Sequence, residues 1–293
     1  MVKISAFPKC WLEDICEGRM SLEKWIDLSV QLECDGLEMY SGFLPSLEPA
    51  ELNKIRRRVE ALGMEIPMLC YSPDFTQPQA EARAAEVEKQ KIMIRATAEL
   101  GGKYCRVLSG QRRPEVSEQQ GVQWVAECIT ACLEEAEKQG VVLAMENHYK
   151  DGYWKYPEFA QKEAVFLQIV NRIDSPWFGV QFDPSNSIVA GEDPLSLLKK
   201  VSSCVRTMHA SDRYIDGPVT QEEVFAYAGK EGYHPALKHG EVGKGLNDYP
   251  EIFRQLAEAG FDGWISIEDG MNGMDEMKRS IDYLKKLRTE YFG

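Results

Sequence analysis

The sequence predicts an α/β fold, a single (β/α)8 barrel, and three observations carry that prediction. Short apolar runs alternate with longer helical stretches along the whole 293-residue chain. Eight such strand–helix units fit a barrel of this kind, which needs about 250 residues before insertions. A doubly wound sheet would usually place a Gly-rich phosphate turn after its first strand; Phe7-Pro8-Lys9-Cys10 stands there instead.

The strands are expected at residues 2–7, 36–40, 65–71, 103–109, 141–147, 178–183, 204–209 and 263–268. Each is a near-continuous apolar run, the pattern of a parallel strand buried on both faces. The helices between them are expected at 21–33, 49–62, 79–100, 118–139, 161–170, 194–201, 249–259 and 274–291. Ser21 is placed to cap the first, and Gly63, Gly101, Gly140 and Gly260 to end four others before the next strand begins. No linker or low-complexity segment divides the chain, so one domain covers residues 1–293.

The stretch before the last strand is longer than the other spacings predict. The excess, residues 214–246 after strand seven, is rich in Gly, Tyr, His and charge. An insertion after a barrel strand lies on the catalytic face, so it is read as a lid or substrate loop.

Composition narrows the partners. A formal net charge of -13 repels phosphate backbones and anionic lipid, so neither nucleic acid nor a membrane is expected as a partner. No apolar stretch is long enough to span a bilayer, and the N-terminus reads directly as a strand, so a cytoplasmic protein is expected. The eight cysteines contain no Cys-x-x-Cys pair and are read as free thiols, with Cys128 and Cys132 on one core-facing helical turn.

Four of the apolar runs end on a residue that can bind a metal: Glu146, Asp183, His209 and Glu268. A charged or imidazole group at the end of a buried strand is costly unless a partner or a metal waits there. On strands five to eight of a barrel these ends form one contiguous arc of the rim. Together they would make a hard, oxygen-rich cage for one divalent cation. Any one of them alone could be a loop-start residue, as Asp183-Pro184-Ser185 could be a helix cap.

The motifs around these positions are Ala144-Met145-Glu146-Asn147, Gly179 to Asn186, Met208-His209-Ala210-Ser211-Asp212-Arg213, a Gly-Glu-x-Gly-x-Gly turn at 240–245, and Trp264 to Glu268. In order and spacing they resemble the xylose isomerase-like barrels, the sugar phosphate isomerase/epimerase and AP-endonuclease-2 superfamily, over essentially the whole chain. The resemblance implies one divalent ion, Mn2+ first and Mg2+, Co2+ or Zn2+ next, held by Glu146, Asp183, His209 and Glu268. It also implies that Glu146 and Glu268 move protons on a sugar or keto-sugar whose oxygens chelate the ion. A cation makes such chemistry feasible by stabilising the developing enediolate oxygen. Two carboxylates on opposite faces of the carbon permit inversion.

Two departures qualify this. Asn186 stands three residues past Asp183, where the DNA-repair members and many epimerases carry histidine. The chain has only four histidines, at 148, 209, 234 and 239, too few for the trinuclear zinc site of the endonucleases. His148, two residues past Glu146, is placed to be a base or substrate contact. It opens a loop containing Tyr149, Tyr153, Trp154 and Tyr156, of which Trp154 is a candidate to stack on substrate. This pairing is similar to the catalytic subunits of C-glycoside deglycosidases and related 3-oxo-glycoside lyases. Arg106 and Arg213 are candidates to orient substrate oxygens, or else to pair with rim carboxylates such as Asp212 or Glu38.

The expected activity is therefore a metal-dependent sugar isomerase or epimerase. The alternative reaction is elimination, by a 3-oxo-glycoside lyase, C-deglycosidase or inosose-type dehydratase. The alternative of another class is a non-catalytic, metal-stabilised barrel subunit. Association into a homo-oligomer or hetero-complex is compatible with either.

Overall fold

The computed structural model describes residues 1–227 and 233–293; residues 228–232, in the middle of the expected insertion, lie outside the described residues. The barrel is there. Its parallel sheet runs Lys3–Ala6, Gly36–Leu37 with Met39–Tyr40, Met68–Cys70, Tyr104–Val107, Val142–Glu146, Phe178–Phe182, Val205–Ala210 and Trp264–Ile267. These eight staves are counted as nine strands because the second is split at Glu38.

The split is also where the barrel closes. Gly36–Leu37 pairs with the first strand, whereas Met39–Tyr40 pairs with the third. A single bridge from Gly36 to Glu65 spans the seam. Gly36 has to be glycine there, since a Cβ would stand 2.5 Å from the Glu65 carbonyl oxygen and 2.8 Å from the Trp264 ring. On the other side of the first strand, Lys3 through Ala6 align with Trp264 through Ile267.

The outer helices pack on this sheet through an extensive apolar core that includes Trp25, Phe166, Phe182 and Phe253, each essentially inaccessible to water. Burial of this kind contributes about 25 cal/mol per Å2 of apolar surface, which makes it the main stabilising term. Inside the barrel a smaller cluster of Met68, Cys70 and Ala144 fills the lumen. The anticipated caps form: Ser21 Oγ accepts the Lys24 N–H at 3.2 Å, and Gly63, Gly101, Gly140 and Gly260 all take positive φ. All eight cysteines are free, and Cys128 and Cys132 are buried.

Three features differ from the sequence reading. The helix expected over 118–139 is interrupted, as Glu118–Thr130 and Leu133–Gln139. The Thr130 hydroxyl donates to the Ala126 carbonyl at 2.7 Å at the end of the first segment. Two short helices, Leu12–Cys16 and Pro184–Val189, follow strands one and six on the rim. The insertion, read only as a loop, is built on an antiparallel hairpin of Asp212–Ile215 and Leu237–Gly240, with a helix Gln221–Phe225 between them. Val224 and Leu237 of the insertion pack with Ile188 and Val189 of the rim helix in a small core of their own.

Candidate metal centre at the barrel mouth

The parallel register brings the ends of strands five to eight to one level. Glu146 ends strand five, Asp183 and Glu268 directly follow strands six and eight, and His209 is the penultimate residue of strand seven. Their ligand atoms all lie within 4.8 Å of one another, and all four residues are buried. Asp183 also accepts the Asn186 N–H at 3.1 Å, so it caps the helix Pro184–Val189 and faces the cluster with the same side chain. Asn147 sets its height: its amide donates to the Asp183 carbonyl at 2.7 Å, and its own oxygen accepts the Asp183 N–H at 2.8 Å. Ser211 Oγ donates to Asp183 Oδ1 at 2.8 Å.

The first four strands supply groups that hold three of these four residues. Glu38, at the split in strand two, lies 2.6 Å from His209 Nε2, and Cys70 of strand three donates its thiol to the same Glu38 oxygen at 2.8 Å. Arg106 of strand four donates to Glu146 Oε2 at 2.9 Å and to Ser72 Oγ at 3.0 Å. Lys9, just past strand one, donates to Glu268 Oε1 at 3.0 Å. Asn186 reaches Glu146 Oε1 at 3.3 Å.

These contacts set the charges. Burial alone would push the Glu146 carboxyl up, but His209 and Arg106 outweigh it and hold it at about 2. Glu268 is likewise held well below the usual carboxylate range, by Lys9 and His209 against burial. Asp183 goes the other way, pushed up to about 7 by burial and by the neighbouring Glu268 and Glu146. His209 is held well above its ordinary value against burial by Glu38, Glu268 and Glu146.

The donor set fits a divalent cation. His209 Nδ1 lies 3.1 Å from Glu146 and 3.3 Å from Glu268, while Nε2 is taken by Glu38. One imidazole nitrogen therefore faces a ring of carboxylates and the other is fixed by a buried acid, the usual support for a metal-binding histidine. Three carboxylates packed this closely repel one another, and that crowding adds to burial in keeping Asp183 from ionising easily. A dication among them would relieve it.

Beside the cluster a cavity of about 350 Å3 opens to the rim, lined among others by Phe7, Lys9, Tyr40, Arg106, His148, Tyr149, Tyr153 and Glu268. That size falls in the ordinary range for small-molecule sites. His148 is buried rather than on the surface. Its Nδ1 faces Glu158 Oε2 at 3.5 Å, and Glu158 is itself fixed by the Ser109 N–H at 2.7 Å. A larger hollow of about 430 Å3 lies outside, between helices Pro194–Val201 and Tyr249–Glu258, lined by Arg254, Glu251 and Glu258, which pair with one another.

Of the residues expected at the site, the structure brings together Glu146, Asp183, His209, Glu268, Asn186 and Arg106, with His148 lining the cavity. The partner expected for Arg106 changes: it pairs with Glu146, not Asp212 or Glu38. Arg213 pairs with neither acid through its side chain; its guanidinium lies 5.8 Å from the Tyr149 ring and 5.6 Å from the Tyr233 ring. Trp154 does not line the cavity, which takes Tyr149 and Tyr153 from that loop instead. The Asp212 carboxylate accepts the N–H groups of Gly243 and Gly245 at 2.9 Å each and so clamps the glycine turn. A Cβ on Gly245 would collide with it. Lys9 and Glu158 were not anticipated. Glu38 was, but only as a possible ion-pair partner, although an acid inside Gly-Leu-Glu-Met-Tyr is the same signal that marked the four ligands.

Comparison with known proteins gives the arrangement its family. Residues 26–287 match the family described as xylose isomerase-like TIM barrels. Among curated relatives, a probable endonuclease 4 of Campylobacter concisus is 25% identical over 209 residues, covering 68% of this chain and 70% of its own. An inosose dehydratase of Mesomycoplasma hyopneumoniae is 21% identical over 308 residues, covering 98% of this chain and 96% of its own. Among solved structures, a D-tagatose 3-epimerase-like protein superposes with a TM-score of 0.75 at 19% identity, over 99% of this chain and 98% of that one. The IOLI protein with a zinc atom bound superposes with a TM-score of 0.73 at 16% identity, over 99% and 98%. The chain belongs to the xylose isomerase-like TIM barrel family.

Proposed function

From that membership we propose that the protein is a divalent-metal-dependent sugar isomerase or epimerase that works by proton abstraction next to a carbonyl. The observation that carries this reading is the convergence of Glu146, Asp183, His209 Nδ1 and Glu268 beside a cavity sized for a small molecule. The zinc atom of the IOLI protein and the sugar chemistry named for the epimerase-like neighbour support it, whereas the inosose dehydratase relative speaks for the elimination considered below.

A bound Mn2+, Mg2+, Co2+ or Zn2+ would act as a Lewis acid, stabilising the negative charge that grows on a substrate oxygen as the adjacent C–H ionises. Glu146 and Glu268 are ionised, and each is fixed by a cation on its outer oxygen, Arg106 and Lys9 respectively. One takes the proton and the other returns it to the opposite face, which inverts the carbon. Asn186 and Ser211 keep Glu146 and Asp183 from rotating away. Tyr40, Tyr149 and Tyr153 offer faces to the sugar ring. Arg106 and His148 stand where substrate oxygens would enter.

One observation favours elimination as a second reading. His148, backed by Glu158, is a buried acid–base group inside the cavity that a two-glutamate proton exchange leaves unused. In a 3-oxo-glycoside lyase or inosose-type dehydratase it would hand a proton to the departing oxygen.

Solvent deuterium exchange into a panel of keto-sugars, followed by NMR during a Mn2+ titration, separates the readings. Exchange without loss of a group supports the isomerase; loss of water or an aglycone supports the lyase. Metal binding with neither outcome points to a non-catalytic barrel. Full metal affinity and turnover in both Glu146→Gln and Glu268→Gln would remove the site assignment altogether.

A further inference from the structure

Lys9 is a cation placed where a cation should be unwelcome. Its Nζ sits 3.0 Å from Glu268 Oε1, while the other oxygen of the same carboxylate lies 3.3 Å from His209 Nδ1, on the side of the ligand cluster. A positive group one carboxylate away from a dication weakens binding of the ion by like-charge repulsion. Metal affinity therefore does not explain the lysine. Lys9 does help His209 to hold Glu268 ionised, but that contact takes a single hydrogen bond.

The placement is otherwise economical for a substrate contact. Lys9 begins the short 3-10 turn Lys9–Trp11 right after strand one, and its side chain retains 20% exposure. It lines the cavity together with Arg106, His148 and Tyr149. An ammonium has three N–H donors, and among the described residues one of them is used, on Glu268.

We infer that Lys9 is a catalytic residue of this site. Its free N–H groups donate to the oxygen beside the carbon that Glu268 deprotonates, in a polyhydroxy ketone. The inference rests on the proposed reading of the site as a metal-assisted sugar enzyme. No bond to the lysine nitrogen forms; the ammonium stays charged, and its hydrogen bond strengthens as negative charge gathers on the substrate oxygen.

The test uses the full chain loaded with Mn2+ and the variants Lys9→Met, Lys9→Gln and Lys9→Arg, each checked for folding by thermal melting. Mn2+ alone is titrated first, then kcat and KM are measured for deuterium exchange into the keto-sugar that the wild type exchanges. The expected result is Mn2+ affinity unchanged or tighter in Lys9→Met and Lys9→Gln, with kcat lower by about 100- to 1000-fold, the usual loss for one such donor. Lys9→Arg should recover part of the rate. The inference is overturned if Mn2+ affinity falls and excess Mn2+ restores the rate, which would make Lys9 only a support for Glu268. It is overturned equally if kcat/KM stays within about threefold of wild type. Failure of the functional reading looks different: the wild type then exchanges no sugar. In that event calorimetric binding of neutral keto-sugars to the Mn2+-loaded protein decides for Lys9. Weaker binding in Lys9→Met supports it, while equal binding, or none even in the wild type, overturns it.

Discussion

The two halves of the barrel rim do different work. Strands five to eight present Glu146, Asp183, His209 and Glu268, the four-residue group placed to hold an ion, while Glu38 and Cys70 of strands two and three form a smaller group of that kind with His209. Strands one to four present Lys9, Glu38, Cys70 and Arg106, none of them in that four-residue set, and three of these grip a ligand of the other half. Asp183 alone is held only by its own half, through Asn147, Asn186 and Ser211. The lesson is that a buried acid is made useful by its partner across the lumen. The grip determines which oxygen or nitrogen remains available and whether it carries charge.

The sharpest way to break this division is to remove a grip. Arg106 and Glu146 are 7% and 0% exposed, so Arg106→Met strips the cation from Glu146 Oε2 and leaves that buried carboxylate to His209 and Asn186 alone, which should destabilise the metal-free protein by about 1.5–3 kcal/mol. Urea unfolding with and without Mn2+ checks it. A loss that shrinks when the ion is present supports the division, and an equal loss in both conditions contradicts it.

Glu38→Gln is expected to be milder. It keeps the shape but weakens the hold on His209 Nε2, lowering Mn2+ affinity by about 10- to 100-fold, as such supporting groups commonly do. Titration of the ion into wild type and variant reads this directly, and an unchanged dissociation constant would mean the contact is merely packing.

The two halves should also differ on acidification. Burial, Arg213 and Lys9 hold His239 neutral down to about 3, and it shares a hydrogen bond with Asp269, itself pushed well above the carboxylate range by burial. Below its unfolded value of about 6.5 the unfolded chain takes up a proton that the folded protein refuses. This residue therefore lowers stability as pH falls from about 6.5 to about 3, by at most about 1.4 kcal/mol per pH unit. In the other half Asp74 is lowered: burial is outweighed by hydrogen bonds from Arg113 and Gln111, so its contribution is present above its unfolded value of 3.8 and is lost only as pH drops below that. Between about pH 6 and 5 the stability difference between wild type and His239→Gln should thus change with pH, while that for Asp74→Asn stays flat.

The smallest effect is expected at the rim itself. Tyr153 is 80% exposed, so Tyr153→Ala should change stability by less than about 0.5 kcal/mol. A change confined to KM would place the ring on the substrate.

Much of this was legible in the chain. Strand and helix order follows from apolar runs and their caps, and the four ligands announce themselves as charged ends on such runs. What was not legible has physical reasons. Lys9 sits in a three-residue 3-10 turn that leaves no strand or helix period in the sequence, and only its long side chain carries it to Glu268. The break after Thr130 carries no glycine or proline to mark it in the sequence. The hairpin in the insertion depends on Asp212 collecting backbone N–H groups from a turn some thirty residues away in the chain. The exchange of Arg106 from Glu38 or Asp212 to Glu146 is a matter of which strand is adjacent: Arg106 aligns with Ala144 on strand five, two residues before Glu146.

The hairpin stalk has a consequence for how this protein can change. Ile215 aligns with Leu237 and Asp212 with Gly240, so the chain leaves and rejoins the barrel at a sealed gate. The described residues beyond it, 216–227 and 233–236, form a cassette. Provided Val224 and Leu237 keep their packing on Ile188 and Val189, its length can change while His209 and Glu268 stay at their stations, so the rim can be remodelled without disturbing the four-residue cluster.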